Sequence, residues 1–287
     1  MSTPADAPAL TLLYAPADRL ELVAKALAGA ADVVIIDLED AVAPDHKEVA
    51  RAGLRRLLTD HPGRPVQVRV NALGSPWAVA DLAAVAALPA HVGIRIPKVV
   101  DPAEVAAVAE QVGGRDLHPL VETAAGVEAA YDIARAHPRV ATLALGEADL
   151  RSDLGVDSDD GMLFARSRIV TAARAAGLPP PAMSVHANVG DDEGLARSCA
   201  LGRRLGFLGR AAIHPRQLPT IVTAFTPTEA EVDRARLVVE SLRDASEVGG
   251  GTVVLADGTF LDRAMVEGAR RVIALAERRR GGRGTAD

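Results

Sequence analysis

The sequence predicts a (β/α)8 barrel of the TIM type with a C-terminal helical arm or lid. Short β-rich apolar runs alternate with longer Ala-rich stretches of helical periodicity, the pattern of successive βα units around a parallel sheet. Eight such units can be counted, with strands expected at Leu10–Tyr14, Val33–Leu38, Val66–Val70, Gly93–Val99, Leu117–Glu122, Val140–Gly146, Ala182–Ala187 and Phe207–Ile213. No Gly-x-Gly-x-x-Gly turn follows an early strand, which weighs against an open doubly wound sheet. Helices begin at caps or prolines, as at Asp101-Pro102 before Ala103–Gln111, and several end at glycines such as Gly177.

A chain of 287 residues would ordinarily suggest two domains, but closed α/β barrels run to roughly 200–250 residues as one. The expected organisation is a tail over 1–9, the barrel over 10–226, C-terminal helices with an arm or lid over 227–278, and a disordered tail over 279–287. Within the C-terminal part, Pro227–Asp244 reads as a helix, Gly249–Thr259 as a flexible turn and short hairpin, and Leu261 to about Arg278 as a last helix.

With 49% hydrophobic and 24% charged residues, the chain can bury a full core and is neither disordered nor a disulfide-held miniprotein. Four Phe, two Tyr and one Trp, with a formal charge of −6, argue against nucleic acid held by base stacking along a basic groove. Cys199, the single cysteine, excludes an intrachain disulfide and a cysteine-rich zinc site and fits a reducing cytoplasm. Its flanks read as an apolar helix face. No secretory pattern opens the sequence, and no segment reaches the roughly 18 uninterrupted apolar residues of a membrane span.

In a barrel the chemistry sits where the strands end. Here those ends carry Asp37-Leu-Glu39-Asp40, Arg69-Val-Asn71, Lys98, Glu122, Gly146-Glu147-Ala-Asp149, His186-Ala-Asn188 and His214-Pro215. Carboxylates gathered on one rim repel one another unless a cation sits among them. Mg2+ needs only one or two protein carboxylates, so Glu122 and Asp149 would suffice, with Glu39 and Asp40 as further candidates. The competing reading has Asp149 capping a helix and Glu122 paired with a lysine. Arg69 either points inward, where a guanidinium can grip a carboxylate through two parallel hydrogen bonds, or outward into a surface ion pair. His186 and His214 are weaker candidates, since a histidine near a strand end is often a hydrogen-bonded core group. No Gly-x-Ser-x-Gly elbow supports a serine nucleophile.

Val33-Val-Ile-Ile-Asp-Leu-Glu-Asp-Ala-Val-Ala-Pro, followed by Lys47 and Ala50-Arg51, resembles the signature of the citrate lyase beta-subunit-like proteins in the HpcH/HpaI aldolase superfamily. Val68-Arg-Val-Asn, Ile96-Pro-Lys, Glu122-Thr-Ala-Ala-Gly-Val, Leu145-Gly-Glu-Ala-Asp-Leu and Gly209-Arg-Ala-Ala-Ile-His-Pro-Arg-Gln follow in that family's order, so the resemblance covers residues 10 to 270 or so. It implies a (β/α)8 barrel holding Mg2+ through Glu122 and Asp149, with Glu39 and Asp40 holding metal-bound waters and Arg69 gripping the substrate. It also implies cleavage or formation of the bond between an acyl-CoA carbon and a keto acid, as in citryl-CoA, malyl-CoA or citramalyl-CoA. Asp262 stands where the family's arm carries an acid/base aspartate over a neighbouring subunit, which implies a homo-oligomer, trimer or hexamer.

The departures cluster where coenzyme A is expected. The first loop reads Ala15-Pro-Ala-Asp18-Arg19 where the family has Pro-Gly-Ser-Arg-Pro-Glu-Arg, keeping the final arginine and Lys25. Met183-Ser184 replaces an Ile-Asp pair, Arg210 replaces a lysine, and Asp262 lacks a Pro two positions later. Arg19, Lys25 and Arg210 are the candidates for the CoA phosphates. The expectation is therefore a Mg2+-dependent carbon–carbon lyase acting on a 3-hydroxyacyl-CoA. The alternatives are an aldolase on a free 2-oxo acid, a thioesterase on the same scaffold, and a non-catalytic CoA-ester-binding protein.

Overall fold

Burial on both faces makes the strands of a parallel sheet largely apolar, and the sheet of this protein departs from that rule at the buried Asp37, Gln67, Arg69, Arg95, His118 and Arg210. The computed structural model describes residues 9–61, 63–247, 252–255 and 258–281, in two compact units divided after Val222. In the first unit, β1 (Thr11–Pro16), β2 (Val33–Asp37), β3 (Val66–Arg69), β4 (Val92–Ile96), β5 (Leu117–Val121), β6 (Ala144–Leu145) and β7 (Arg210–Ala212) form one curled sheet, in the order β6-β5-β4-β3-β2-β1-β7. Every pairing in it is parallel.

Between the strands run α1 (Leu20–Ala28), α2 (Lys47–Thr59), α3 (Ala78–Ala86), α4 (Pro102–Gln111), α5 (Ala124–Glu128), α6 (Ala130–Arg135), α7 (Glu147–Leu154), α8 (Leu163–Ala175), α9 (Asp192–Leu205) and α10 (Leu218–Phe225). Asp101 starts α4 as expected. Its carboxylate accepts from the Ala103 amide, and Glu104 reaches back to the Asp101 amide, satisfying donors that a helix start leaves bare. Ile35, Ile36, Ile94 and Ile96 are fully buried, each worth about 1.5–3 kcal/mol of burial.

The expected strand Ala182–Ala187 does not form. Only Met183 pairs, through a single parallel bridge to Arg210. Pro179-Pro180-Pro181 bring no amide donors into the ladder, the Ser184 carbonyl is taken by Arg210 Nε at 2.8 Å, and the Ser184 hydroxyl accepts from the Glu147 amide at 3.2 Å. The expected Val140–Gly146 likewise shortens to Ala144–Leu145: Val140 makes one bridge to Leu117, and the Thr142 hydroxyl meets His118 Nδ1 at 2.8 Å.

Alternation along β7 corrects the reading of Arg210. Ala211 joins the inner cluster with Leu12 and Ile35, so its neighbour Arg210 faces the opposite side. There it is buried against α9, bonding Ser184 O, Ser198 Oγ and Cys199 Sγ. A guanidinium enclosed in this way does not reach a coenzyme phosphate. Cys199 is buried, and burial pushes its thiol pKa up.

The second unit, from Thr223 onward, contains α11 (Glu229–Glu247), an antiparallel hairpin of β8 (Thr252–Val254) and β9 (Phe260–Asp262), and α12 (Arg263–Gly281). Its core joins Ala235, Val238, Leu242, Leu261 and Ala269. Gly258, at φ +82°, supplies the left-handed turn residue of the hairpin. Of the two expected tails, residues 1–8 and 282–287 lie outside the described residues. Among the described residues no helix is long and apolar enough to cross a membrane.

Replacing Arg210 with Met should lower stability by about 1–3 kcal/mol, since it strips buried acceptors of their donor; urea unfolding at neutral pH would measure this, and an unchanged midpoint would contradict the buried role.

Candidate active site

Asp37 and Arg69 are the last residues of β2 and β3 and are register partners. Their side chains meet in a fork, Arg69 Nε donating to Asp37 Oδ1 at 2.7 Å and Nη2 to Oδ2 at 2.6 Å. The inward reading of Arg69 is therefore the observed one, with the Tyr14 ring 5.1 Å from its guanidinium carbon. Asp37 also accepts the amides of Glu39 and Ala41, which folds the loop after β2 back over the pair. Lys47, buried on α2, donates to the carbonyls of Leu38 and Glu39 at 2.7 Å each. Asn71 adds a bond to Leu38 O, and is itself tied to Asp81, which pairs with Arg51.

That loop delivers two more acids to Arg69. Nη1 lies 2.8 Å from Glu39 Oε2 and 3.1 Å from Asp40 Oδ2. Glu39 is buried, while Asp40 is open to solvent. Lys98 follows β4 and takes φ +54°, the single positive value among described non-glycine residues. Its amide donates to Glu122 Oε2 at 3.0 Å, and its ammonium lies 3.0 Å from Glu39 Oε1 and 3.3 Å from Asp149 Oδ2. Glu122 stands just past β5 and packs over Gly146, where any Cβ would collide with its carboxylate. The structure thus gathers Asp37, Glu39, Asp40, Arg69, Lys98, Glu122 and Asp149 on one edge of the sheet.

The electrostatics follow from the geometry. Burial raises the Glu122 pKa to about 7, with the Glu39 and Asp149 charges adding to it and Arg69 opposing. Burial likewise raises Glu39 against the pull of Arg69. Arg69 and Lys98 lose solvation too, but the Asp37 hydrogen bonds for one and the Glu39 contact for the other outweigh it and hold both firmly charged. Five carboxylates (Asp37, Glu39, Asp40, Glu122, Asp149) face Arg69, Lys98 and Lys47, leaving an acidic excess when all are ionised. Glu39 Oε1 and Oε2 and Asp149 Oδ2 are enclosed with no aligned hydrogen bond.

An acid-rich edge with charged oxygens lacking directional donors fits a hard, oxygen-seeking divalent cation. Among the described residues no three His, Cys, Asp or Glu side chains converge as a ready-made cage, so a cation here would draw on two carboxylates at most and take its other oxygens from water and ligand. Glu122 and Asp149 both meet Lys98, the first at its amide and the second at its ammonium. The Glu147 carboxylate turns away to the buried Arg166, at 2.9 and 2.6 Å.

A model of the HpcH/HpaI aldolase/citrate lyase family matches residues 10–215. The chain belongs to that family. A (3S)-malyl-CoA thioesterase of Cereibacter sphaeroides is 38% identical over 275 residues, covering 94% of this chain and 95% of the relative. Citrate lyase subunit beta of Escherichia coli is 33% identical, with 93% of each chain covered. Among solved structures, protein CitE of Mycobacterium tuberculosis in complex with magnesium, acetoacetate and coenzyme A superposes with TM-score 0.79 at 34% identity, covering 94% of this chain and 98% of that one.

The remaining candidates have the following local surroundings. Arg19 and Lys25 lie exposed at the start and end of α1. His186 faces Asp191 at 3.4 Å, and His214 accepts the Arg216 amide at the turn after β7. Asp262 ends β9 and accepts the Ala264 amide at 3.0 Å, starting α12. Sequence reasoning placed Asp37 and Lys98 at strand ends, among the acids and cations of one rim, without naming a contact for either, and it missed Asp81 and Arg166. The pairing of Arg69 with an acid was signalled only by the matching positions of Asp37 and Arg69 at adjacent strand ends.

With its folded pKa near 7 against an ordinary value of 4.5, Glu122 makes the metal-free fold less stable as pH rises between those values. Glu122→Gln should match the parent near pH 4 and exceed it by up to about 3 kcal/mol at pH 8, read from urea midpoints. A gap that shrinks as pH rises would contradict the buried, acid-crowded environment.

Proposed function

We propose that the protein is a Mg2+-dependent carbon–carbon lyase that cleaves a 3-hydroxyacyl-CoA of the citryl-CoA, malyl-CoA or citramalyl-CoA type reversibly to an acyl-CoA and a keto acid. The observation that carries it is the convergence of Glu122, Asp149 and the Arg69–Asp37 fork on one edge of a family fold whose relatives include the subunit named for citrate lyase and the structure solved with magnesium and coenzyme A. We also read the curled sheet as a (β/α)8 barrel in which Ala182–Ala187 fills the eighth position, and the chain as cytoplasmic.

Glu122 and Asp149 would hold the metal, with Glu39 and Asp40 orienting its waters. Bound there, Mg2+ would supply Lewis acidity to the oxygens of the acid half of the substrate. Arg69, fixed by Asp37, holds a permanent positive charge beside the position where oxygen charge grows as the carbon–carbon bond breaks. Tyr14 and the buried strand ends keep that side of the guanidinium from water, which strengthens its field. Arg19 and Lys25 offer exposed cations to coenzyme phosphates. We assign to Asp262 the exchange of the proton at the acyl carbon, with the acid supplied from another subunit of a homo-oligomer.

Hydrolysis to free CoA, the outcome named for the Cereibacter relative, and cleavage of a free 2-oxo acid are the two competing outcomes. A substrate panel with Mg2+ separates them. The lyase yields acetyl-CoA or propionyl-CoA together with glyoxylate, pyruvate or oxaloacetate. Free CoA without a keto acid would indicate the thioesterase, and turnover of 4-hydroxy-2-oxo acids alone would indicate the aldolase. Glu122→Ala and Asp149→Ala should each lower Mg2+-dependent kcat/KM by at least about a hundredfold; full activity in either would sink the metal assignment. Mixing Asp262→Ala chains with Arg69→Ala chains should restore part of the activity lost in each, and no restoration would count against a shared site.

A further inference from the structure

Lys98 touches both acids of the pair assigned to the metal. Its backbone amide donates to Glu122 Oε2, and its ammonium stands 3.3 Å from Asp149 Oδ2 and 3.0 Å from Glu39 Oε1. The positive φ of a non-glycine residue is an unfavoured conformation, and here it accompanies these contacts. The other two cations of the rim are held differently. Arg69 is locked to Asp37 by two parallel hydrogen bonds, and Lys47 is buried with bonds to two carbonyls. Lys98 is held at Glu39 and Asp149 by charge without aligned bonds, and more than a third of its side chain is open to solvent. It is thus the least anchored cation of the three, on an oxygen that the metal would need.

We propose that Lys98 is the resident cation of this site, which a divalent ion must displace from Asp149, so that the lysine sets how tightly the metal binds. The proposal rests on the reading of Glu122 and Asp149 as the metal pair. An ammonium and a divalent cation cannot share Asp149 Oδ2 without repulsion, and at a separation of a few ångströms that repulsion is large even in a polar environment. Glu39 Oε1 keeps a partner for the displaced ammonium, and the Lys98 amide keeps its bond to Glu122, so the acid scaffold survives the exchange.

The test uses Mn2+ as the probe, with free Mn2+ followed by electron paramagnetic resonance in the full-length metal-free protein. Lys98→Met should bind Mn2+ about tenfold more tightly than the parent or better, and Lys98→Arg, which keeps the charge, should return towards the parent value. Equal or weaker binding by Lys98→Met overturns the proposal while leaving the lyase reading in place. Absence of Mn2+ binding in parent and variant alike overturns both. A second measurement needs no folded methionine variant. Lys25, Lys47 and Lys98 are the only lysines of the chain, so 13C-dimethylation of the parent gives a sparse spectrum in which the Lys98 signal is identified by its loss in Lys98→Arg. Adding Mg2+ should shift that signal and leave Lys25 in place; an unmoved Lys98 signal overturns the exchange.

Discussion

The fork between Arg69 and Asp37 is the contact on which the acidic rim depends. Five carboxylates within reach of one another would repel, and several are buried where an unpaired charge is costly. Arg69 answers three of them at once, bidentately at Asp37 and through Nη1 at Glu39 and Asp40. Because Asp37 also accepts the Glu39 and Ala41 amides, the same carboxylate that fixes the guanidinium fixes the loop carrying the other two acids. Lys47 and Asn71 secure that loop from behind by its carbonyls. Charge placement and backbone shape are thereby one structure.

The other half of the rim is held more loosely. Glu122 is fixed by the Lys98 amide and by close packing on Gly146, whereas Asp149 meets only charge at the oxygen nearest Lys98. A rigid guanidinium on one side and exchangeable contacts on the other suit a site that keeps a fixed electrostatic background while admitting and releasing a cation. The overall acidity of the chain, at first sight adverse to an anionic substrate, becomes useful once part of it is concentrated where a divalent ion would reverse its sign.

Much of this was legible in the sequence because hydrophobic period and strand-end position carry it. The alternation of Val66-Gln-Val-Arg puts Arg69 on a definite face relative to its neighbours, although which face became clear only from its pairing with Asp37. The strand at Ala182–Ala187 looked as apolar as the others, but the three prolines before it and the Arg210 bond to Ser184 O break its ladder. Arg210 itself shows how one residue of register moves a side chain from one face to the other. The resemblance singled out Asp149 rather than Glu147, but what turns Glu147 away, the buried Arg166 nineteen residues beyond it, left no mark in the motif. The left-handed turn at Lys98 left no mark, because nothing in Ile96-Pro-Lys demands it.

On the proposed function, the acidic excess held together by Arg69 and Asp37 would form a divalent-cation site at Glu122 and Asp149. The most direct measurement is the anomalous difference density of crystals soaked in Mn2+. One strong peak bonded to oxygens of both Glu122 and Asp149 is expected. A peak elsewhere on the rim, or none beside this pair, would contradict it.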